Sequence, residues 1–232
     1  MGIVQNKIKS LISSGKYNYI IESNEFYFQK AKDALNSFLS LEVNKEVEVY
    51  LLQNSKRYEE LKDLFVQDDR FKEFGNSVLT LISYCDSNAL NKKLLNQYED
   101  KRVLALAFVR MNNWIEQLIN YKFKGELITG SIKNAIDYLN NPDNNFTMLS
   151  ENHRSQISTN LFKINYVKDD FKKSFFDFFS DFNLYTANKL NYTQLLTRIC
   201  YDFTNYWKDS LIGLVSPDNT GWLDNAIKDT QN

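Results

Sequence analysis

The chain has 232 residues, enough for one large domain or two small ones, and this length buries enough surface to fold without disulfides or a metal ion. Apolar residues make up 43% and charged residues 25%, which excludes disorder as the default state. The formal net charge is −1, with 16 Lys/Arg against 16 Asp/Glu in residues 1–116 and 12 against 13 in residues 117–232. This balance excludes a basic or acidic tail that would attract a partner.

The chain contains only 7 Gly and 2 Pro, the residues on which tight turns between strands depend. Long helices exclude both residue types, so this shortage favours helices with few turns. We therefore predict an all-α fold, an irregular multi-helix bundle of about nine or ten helices with a central buried helix.

Apolar residues recur at spacings of three and four along the first third of the chain, which is the pattern of amphipathic helices. The stretch EVEVYLL (46–52) alternates briefly like a strand, but helical spacing continues from Val47 to Phe65 and favours one long helix. The helices predicted here cover residues 3–12, 24–41, 46–65 and 71–85, the last entered at Asp68-Asp69.

The stretch VLALAFV (103–109) is apolar nearly all round and begins the predicted central helix, which Gly125 ends. Shorter helices are predicted around residues 90–98, 131–139 and 222–227. Ser150 is predicted to cap a helix that carries Ile157, Leu161 and Ile164, and Asn191 is predicted to cap a helix whose apolar residues run from Leu195 to Trp207. The polar loop at 140–147 contains one of the two prolines, so we expect one domain over 1–232 with a weak seam there.

Six phenylalanines lie within FKKSFFDFFSDF, residues 171–182. On a helix they form one face, with Lys173, Asp177 and Asp181 opposite. Six rings in water would expose on the order of 1,000 Å², more than soluble monomers tolerate. We expect a helical core, with a partner surface and a base-stacking platform as the alternatives.

Residues that could perform catalysis are sparse. The single histidine, His153, and the two distant cysteines, Cys85 and Cys200, exclude a zinc site of soft ligands, and we expect both thiols to be buried and free. Acidic pairs such as Asp68-Asp69 lie near helix starts, where carboxylates favour the helix dipole. No Gly-rich phosphate loop occurs. We therefore expect no cofactor and no metal, and a non-enzymatic role is favoured over a metal-dependent hydrolase.

Polar residues interrupt the central helix, and basic and aromatic residues follow them, which makes this region the predicted binding surface. It comprises Arg110, Asn112, Asn113, Trp114, Tyr121, Lys122, Phe123 and Lys124, together with the pair Lys101 and Arg102. Internally satisfied polar groups and a solvated surface are the alternatives for these side chains.

The absence of catalytic motifs and the abundance of aromatic residues favour a protein-interaction module: an adaptor, an inhibitor, or part of a larger bacterial assembly. The alternative is a nucleic-acid-binding module of a defence-type system, whose DNA affinity would fall steeply with salt. The stretch MGIVQNKIKS lacks the apolar run of a signal peptide, and no segment approaches 18 apolar residues. We expect a cytoplasmic protein with a protein partner and no membrane, with nucleic acid as a further candidate partner and homo-oligomerisation left open.

Overall fold

The computed structural model describes residues 2–86 and 101–208 of the chain. This part is all-α, as predicted, and contains twelve α-helices and no strand. The predicted helices around residues 90–98 and 222–227 lie outside it. The α-helices are α1 Gly2–Ser13, α2 Asn18–Ile21, α3 Gln29–Ser40, α4 Lys45–Asn54, α5 Tyr58–Gln67, α6 Asp69–Cys85, α7 Lys101–Lys124, α8 Ser131–Asn140, α9 Glu151–Gln156, α10 Phe171–Phe179, α11 Tyr192–Asp202 and α12 Thr204–Trp207.

The described chain divides into two compact units. The first comprises residues 2–29 and 133–208, and the second comprises residues 30–86 and 101–132. The divisions fall at 29/30 and 132/133, ahead of the polar loop at 140–147. The expectation of a single domain with a seam at that loop stays a prediction.

In the second unit, α7 is the predicted central helix, and it packs against α4, α5 and α6. Ile115 and Leu118 on α7 are fully buried, as are Leu51 and Leu61 on its neighbours. Gly125 follows α7 with a φ of 71°, a left-handed conformation that glycine adopts without strain and that ends the helix. The side chain of Asp68 caps α6 by accepting a hydrogen bond from the Arg70 amide at 3.0 Å, at the predicted entry.

The prediction of one long helix over 46–65 is wrong, because the chain forms α4 and α5 with a turn at residues 55–57. The stretch 46–52 is nevertheless helical, as the spacing indicated. Buried positions continue across the turn at Val47, Leu51, Ser55, Tyr58 and Leu61, so the turn keeps the helical phase of the pattern. Periodicity alone therefore carries no sign of the break.

The core of the first unit is built around the phenylalanine-rich helix α10. Phe171, Phe175 and Phe179 are buried, and the remaining rings of the run are half-buried against the same cluster. The expectation that these rings form a helical core is confirmed. Packing of α10 against residues 157–162 and against the segment around Phe146 completes this core.

Helix α9 begins at the predicted cap, where the Ser150 hydroxyl accepts a hydrogen bond from the His153 amide at 3.3 Å. It continues as a π-helix over Ile157–Phe162 and ends at Lys163, whose φ is 62°. Because the wider helix closes there, Ile164 turns outward and is exposed, contrary to its predicted place on the buried stripe.

Candidate functional site

The predicted surface on α7 supplies contacts within the second unit. The Arg110 guanidinium pairs with the buried carboxylate of Asp86, and the Trp114 indole nitrogen donates a hydrogen bond to the same carboxylate at 3.2 Å. The Asn112 side-chain oxygen accepts a hydrogen bond from the Tyr58 amide at 2.7 Å, at the start of α5. These three side chains satisfy groups of their own unit, which was one of the alternatives that their sequence positions left open.

The end of α7 is also held in place. The Lys122 ammonium donates hydrogen bonds to the carbonyl oxygens of Phe38 and Leu39, at 2.6 and 3.0 Å, and burial lowers the pKa of this lysine. The Phe123 ring stacks on Phe74 with centroids 6.1 Å apart. Lys124 is exposed and Tyr121 is half-buried.

The remaining predicted residues are Asn113, Lys101 and Arg102. Asn113 is exposed, and its side-chain oxygen accepts a hydrogen bond from Gln117 at 3.0 Å. Lys101 and Arg102 lie on α7, but their side chains are outside the described part of the molecule. That these residues together form a binding surface stays a prediction.

The side chains considered for catalysis, those of His153, Cys85 and Cys200, are buried or partly buried. The His153 ring makes edge-to-face contacts with Tyr201 and Trp207, and its Nδ1 lies 2.9 Å from the Tyr201 hydroxyl. Burial, and then the nearby Lys208, lowers the pKa of His153. Cys200 is buried, whereas Cys85 is partly exposed; both are free, and burial raises the pKa of the Cys85 thiol to about 12. Neither thiol is poised as a nucleophile at neutral pH.

The described residues contain no group of three or more His, Cys, Asp or Glu side chains that could hold a metal ion. None of the helices in residues 2–86 and 101–208 is long and apolar enough to cross a membrane.

A cleft of about 290 Å³ lies in the second unit, near the lower limit of cavities that bind small molecules. An ion pair between Arg70 and Glu46 (3.5 Å) lies at this cleft, and the Arg70 guanidinium is also held by Asp68. Its other lining residues are Val47, Val49, Tyr50, Gln53, Leu64 and Phe71, which include no nucleophile and no histidine. Most of this lining is apolar, and the charged groups at the cleft, Glu46 and Arg70, are paired with each other.

The first unit exposes aromatic rings on α2, which carries Tyr19, and on the loop between α2 and α3, which carries Tyr27 and Phe28. Tyr19 is 52% exposed and Tyr27 is 45% exposed, with ring centroids 6.4 Å apart. Tyr27 meets the half-buried Phe28 edge to face at 4.9 Å, and Phe28 in turn packs on the buried Tyr138 ring. We call Tyr19, Tyr27 and Phe28 the tyrosine surface. Its rings are in contact with one another and partly open to solvent.

Asparagines from a distant segment fix the loop that carries this surface. Asn191 is fully buried, and its side-chain oxygen accepts a hydrogen bond from the Tyr27 amide at 2.7 Å. Its side-chain nitrogen donates to the Glu25 carbonyl at 2.9 Å, while Asn188 donates to the Asn24 carbonyl at 3.1 Å. The backbone amide of Ala187 adds a hydrogen bond to the Ile21 carbonyl at 2.7 Å. The loop is therefore held on both sides of its turn.

These contacts overturn two predictions. Asn191 stands at the predicted position before α11, but its side chain makes no hydrogen bond to that helix and binds the loop instead. Helix α3 begins at Gln29, not near Asn24, because the backbone of residues 24–27 is bonded to those asparagines. The tyrosine surface was missed for that reason, although the aromatic-rich stretch YNYIIESNEFYF (17–28) was a visible signal.

Comparisons of the chain with models of known protein families, with curated proteins and with solved structures find no match.

Proposed function

We propose that the protein is a non-enzymatic protein-interaction module that binds its partner through the tyrosine surface. The observation that carries this proposal is a pair of half-exposed tyrosines in ring contact, Tyr19 on α2 and Tyr27 on a loop fixed by a fully buried asparagine. A role as adaptor, inhibitor or component of a larger bacterial assembly fits such a module.

Exposed tyrosines are well suited to a protein interface. Their rings supply a large apolar contact area with few rotatable bonds, and the hydroxyl accepts or donates a hydrogen bond at the rim. Tyrosine is accordingly enriched among the residues that dominate binding free energy. Two adjacent rings of this kind offer a partner one continuous contact.

The fixed backbone of the loop supports the same function. Ordering a mobile loop on binding costs conformational entropy, and a loop that is already ordered in the free protein avoids that cost. Asn191 and Asn188 provide this order through side-chain hydrogen bonds to three backbone groups of residues 24–27. Recognition residues held on a rigid scaffold are typical of binding loops.

Charge gives the nucleic-acid alternative no support. The described residues of the first unit contain 12 Lys/Arg and 10 Asp/Glu, and those of the second contain 13 of each. Lys122, the lysine at the centre of the predicted basic stretch, donates to carbonyl groups of its own unit. Nucleic-acid interfaces depend on clustered, available cations.

The test is affinity capture with a matched pair of variants, Tyr27→Ala and Tyr84→Ala. Tyr84 lies on α6 and is 44% exposed, so the two changes remove equally exposed rings. Tagged proteins are purified from cells that make this protein, and co-purifying proteins are quantified by mass spectrometry.

We expect wild type and Tyr84→Ala to recover the same partner in near-stoichiometric amount. The amount of partner recovered with Tyr27→Ala should be lower by a factor of about ten or more, which is typical when a dominant contact residue is removed. A partner retained equally by all three proteins, or no stoichiometric partner with wild type, would contradict the proposal.

A further inference from the structure

Residues 17–28, which comprise α2 and the loop after it and carry the tyrosine surface, are acidic. Within residues 17–28 the only charged side chains are those of Glu22 and Glu25, and both are exposed. Neither belongs to any of the ion pairs of the described first unit. The preceding cation, Lys16, is paired with Asp202 at 2.9 Å. The loop therefore presents two carboxylates whose charge no described side chain neutralises by direct contact.

The exposed rings add to the same preference. The face of a tyrosine ring is electron-rich and attracts ammonium and guanidinium groups. Tyr19 and Tyr27 lie on either side of Glu22 and Glu25 in sequence, and Asn191 and Asn188 fix the backbone from Asn24 to Tyr27. Lys189, on the segment that holds the loop, is the one cation of that segment, so the acids outnumber it.

From this charge and these rings we infer that the tyrosine surface receives a cationic segment of its partner, one that presents Arg or Lys side chains. The inference rests on the function proposed above and names the chemistry of the partner. A guanidinium stacks on the ring of Tyr27 or Tyr19 and pairs with the carboxylate of Glu22 or Glu25. An acidic segment or a phosphate backbone meets two exposed carboxylates here, neither of them in an ion pair with a described residue, and is rejected by like-charge repulsion.

The test uses a short dye-labelled peptide of alternating Gly and Arg, and the same peptide with citrulline in place of Arg. Citrulline keeps the shape of arginine and removes its charge. Binding to the full-length protein is measured by fluorescence anisotropy at about 50 and 150 mM salt, because exposed charge pairs weaken as salt screens them.

Two double variants remove the same charge from different places on the first unit. One is Glu22→Gln with Glu25→Gln on the loop; the control is Asp177→Asn with Asp181→Asn, whose carboxylates are exposed on α10 and just after it. We expect the Arg peptide to bind better than the citrulline peptide. The loop variant and Tyr27→Ala should each weaken its binding by about five- to tenfold, and the control variant should leave it unchanged.

Equal weakening by both double variants would show a diffuse charge effect and would overturn the inference, as would equal binding of the two peptides. Preferential binding of a Glu-containing peptide or of a labelled oligonucleotide would also overturn it. Affinity capture separates this failure from failure of the proposed function. If the loop variant retains the partner while Tyr27→Ala loses it, the cationic preference is wrong and the protein-interaction surface stands.

Discussion

At the residue scale, the charged side chain of Lys122 caps the C-terminal end of α3. Its ammonium group donates to the carbonyls of Phe38 and Leu39, in the last turn of α3, and lies 5.2 Å from the centre of the Phe38 ring. The last carbonyls of a helix have no partner within the helix and carry its negative dipole end. A lysine at this place therefore satisfies groups that would otherwise require water.

We expect Lys122→Met to lower the free energy of unfolding by about 1–2 kcal/mol, because the charged hydrogen bonds are lost while the apolar stem is kept. Lys124→Met is the control, because Lys124 lies with Lys122 in the last turn of α7 and is exposed. Its replacement should change the free energy of unfolding by less than about 0.5 kcal/mol. Urea unfolding followed by circular dichroism measures both. Equal effects of the two substitutions would show that the capping bonds contribute nothing.

The half-buried imidazole of His153, whose pKa is lowered, predicts a pH dependence of stability. Its pKa is lowered in the folded protein, mainly by burial, so the unfolded chain binds more protons once the pH falls below about 6.5. The stability that the neutral ring contributes is complete above that pH and declines as the pH falls toward the folded pKa. His153→Gln should therefore reduce the loss of stability between about pH 7.5 and 5.5, measured by urea unfolding. A wild type and variant that lose the same stability over this interval would contradict the assignment.

At the element scale, α5 and α6 of the second unit pack closely at Gly75. Gly75 lies in the interior of α6 and is buried. A Cβ placed on Gly75 would lie 2.4 Å from the Cβ of Phe65 on α5. The helices approach closely because glycine leaves room for that ring.

Gly75→Ala should accordingly destabilise the protein by about 1–3 kcal/mol, the usual cost of overpacking. In an exposed helix interior the same change stabilises by about 1 kcal/mol, so the sign of the effect is diagnostic. Thermal and urea unfolding of Gly75→Ala and of the exposed neighbour Asn76→Ala provide the comparison. A stabilised Gly75→Ala variant would show that α5 and α6 do not meet as described.

The same scale shows what local pattern can predict. Helix α6 was predicted to begin at Asp68-Asp69, and the hydrogen bond that Asp68 accepts there is made within two residues of it. The turn between α4 and α5 was missed because helical spacing continues across it, and one bond that holds the start of α5 comes from Asn112, 54 residues away. Helical spacing records which face is buried, and it does not record an interruption that leaves the buried face unchanged.

At the scale of the whole molecule, the fold class and the phenylalanine core were predictable, and the candidate site was not. The low Gly and Pro content of the chain argues against many tight turns, so the helical fold class can be predicted from composition alone, without knowing any tertiary contact. The tyrosine surface depends on hydrogen bonds between residues 164 and 166 positions apart, from Asn191 to the backbone of Tyr27 and Glu25. An exposed aromatic loop and the start of an amphipathic helix have similar composition. Residues 24–27 form a loop because their backbone is bonded to the distant Asn191.

The balance of charge is the second property of the whole molecule that bears on function. Both units carry nearly equal numbers of cations and anions, so long-range attraction to a polyanion is weak. Recognition then depends on short-range contacts, which favours a small aromatic surface with a few local charges.

Site-specific photo-crosslinking tests whether the tyrosine surface contacts a protein partner. A photoreactive phenylalanine analogue replaces Tyr27 in one protein and Tyr84 in another, and both are irradiated in the cells that make the protein. We expect one discrete covalent adduct from position 27 that disappears in an Asn191→Ala background, and no such adduct from position 84. The same adducts from both positions, or none from position 27, would contradict it.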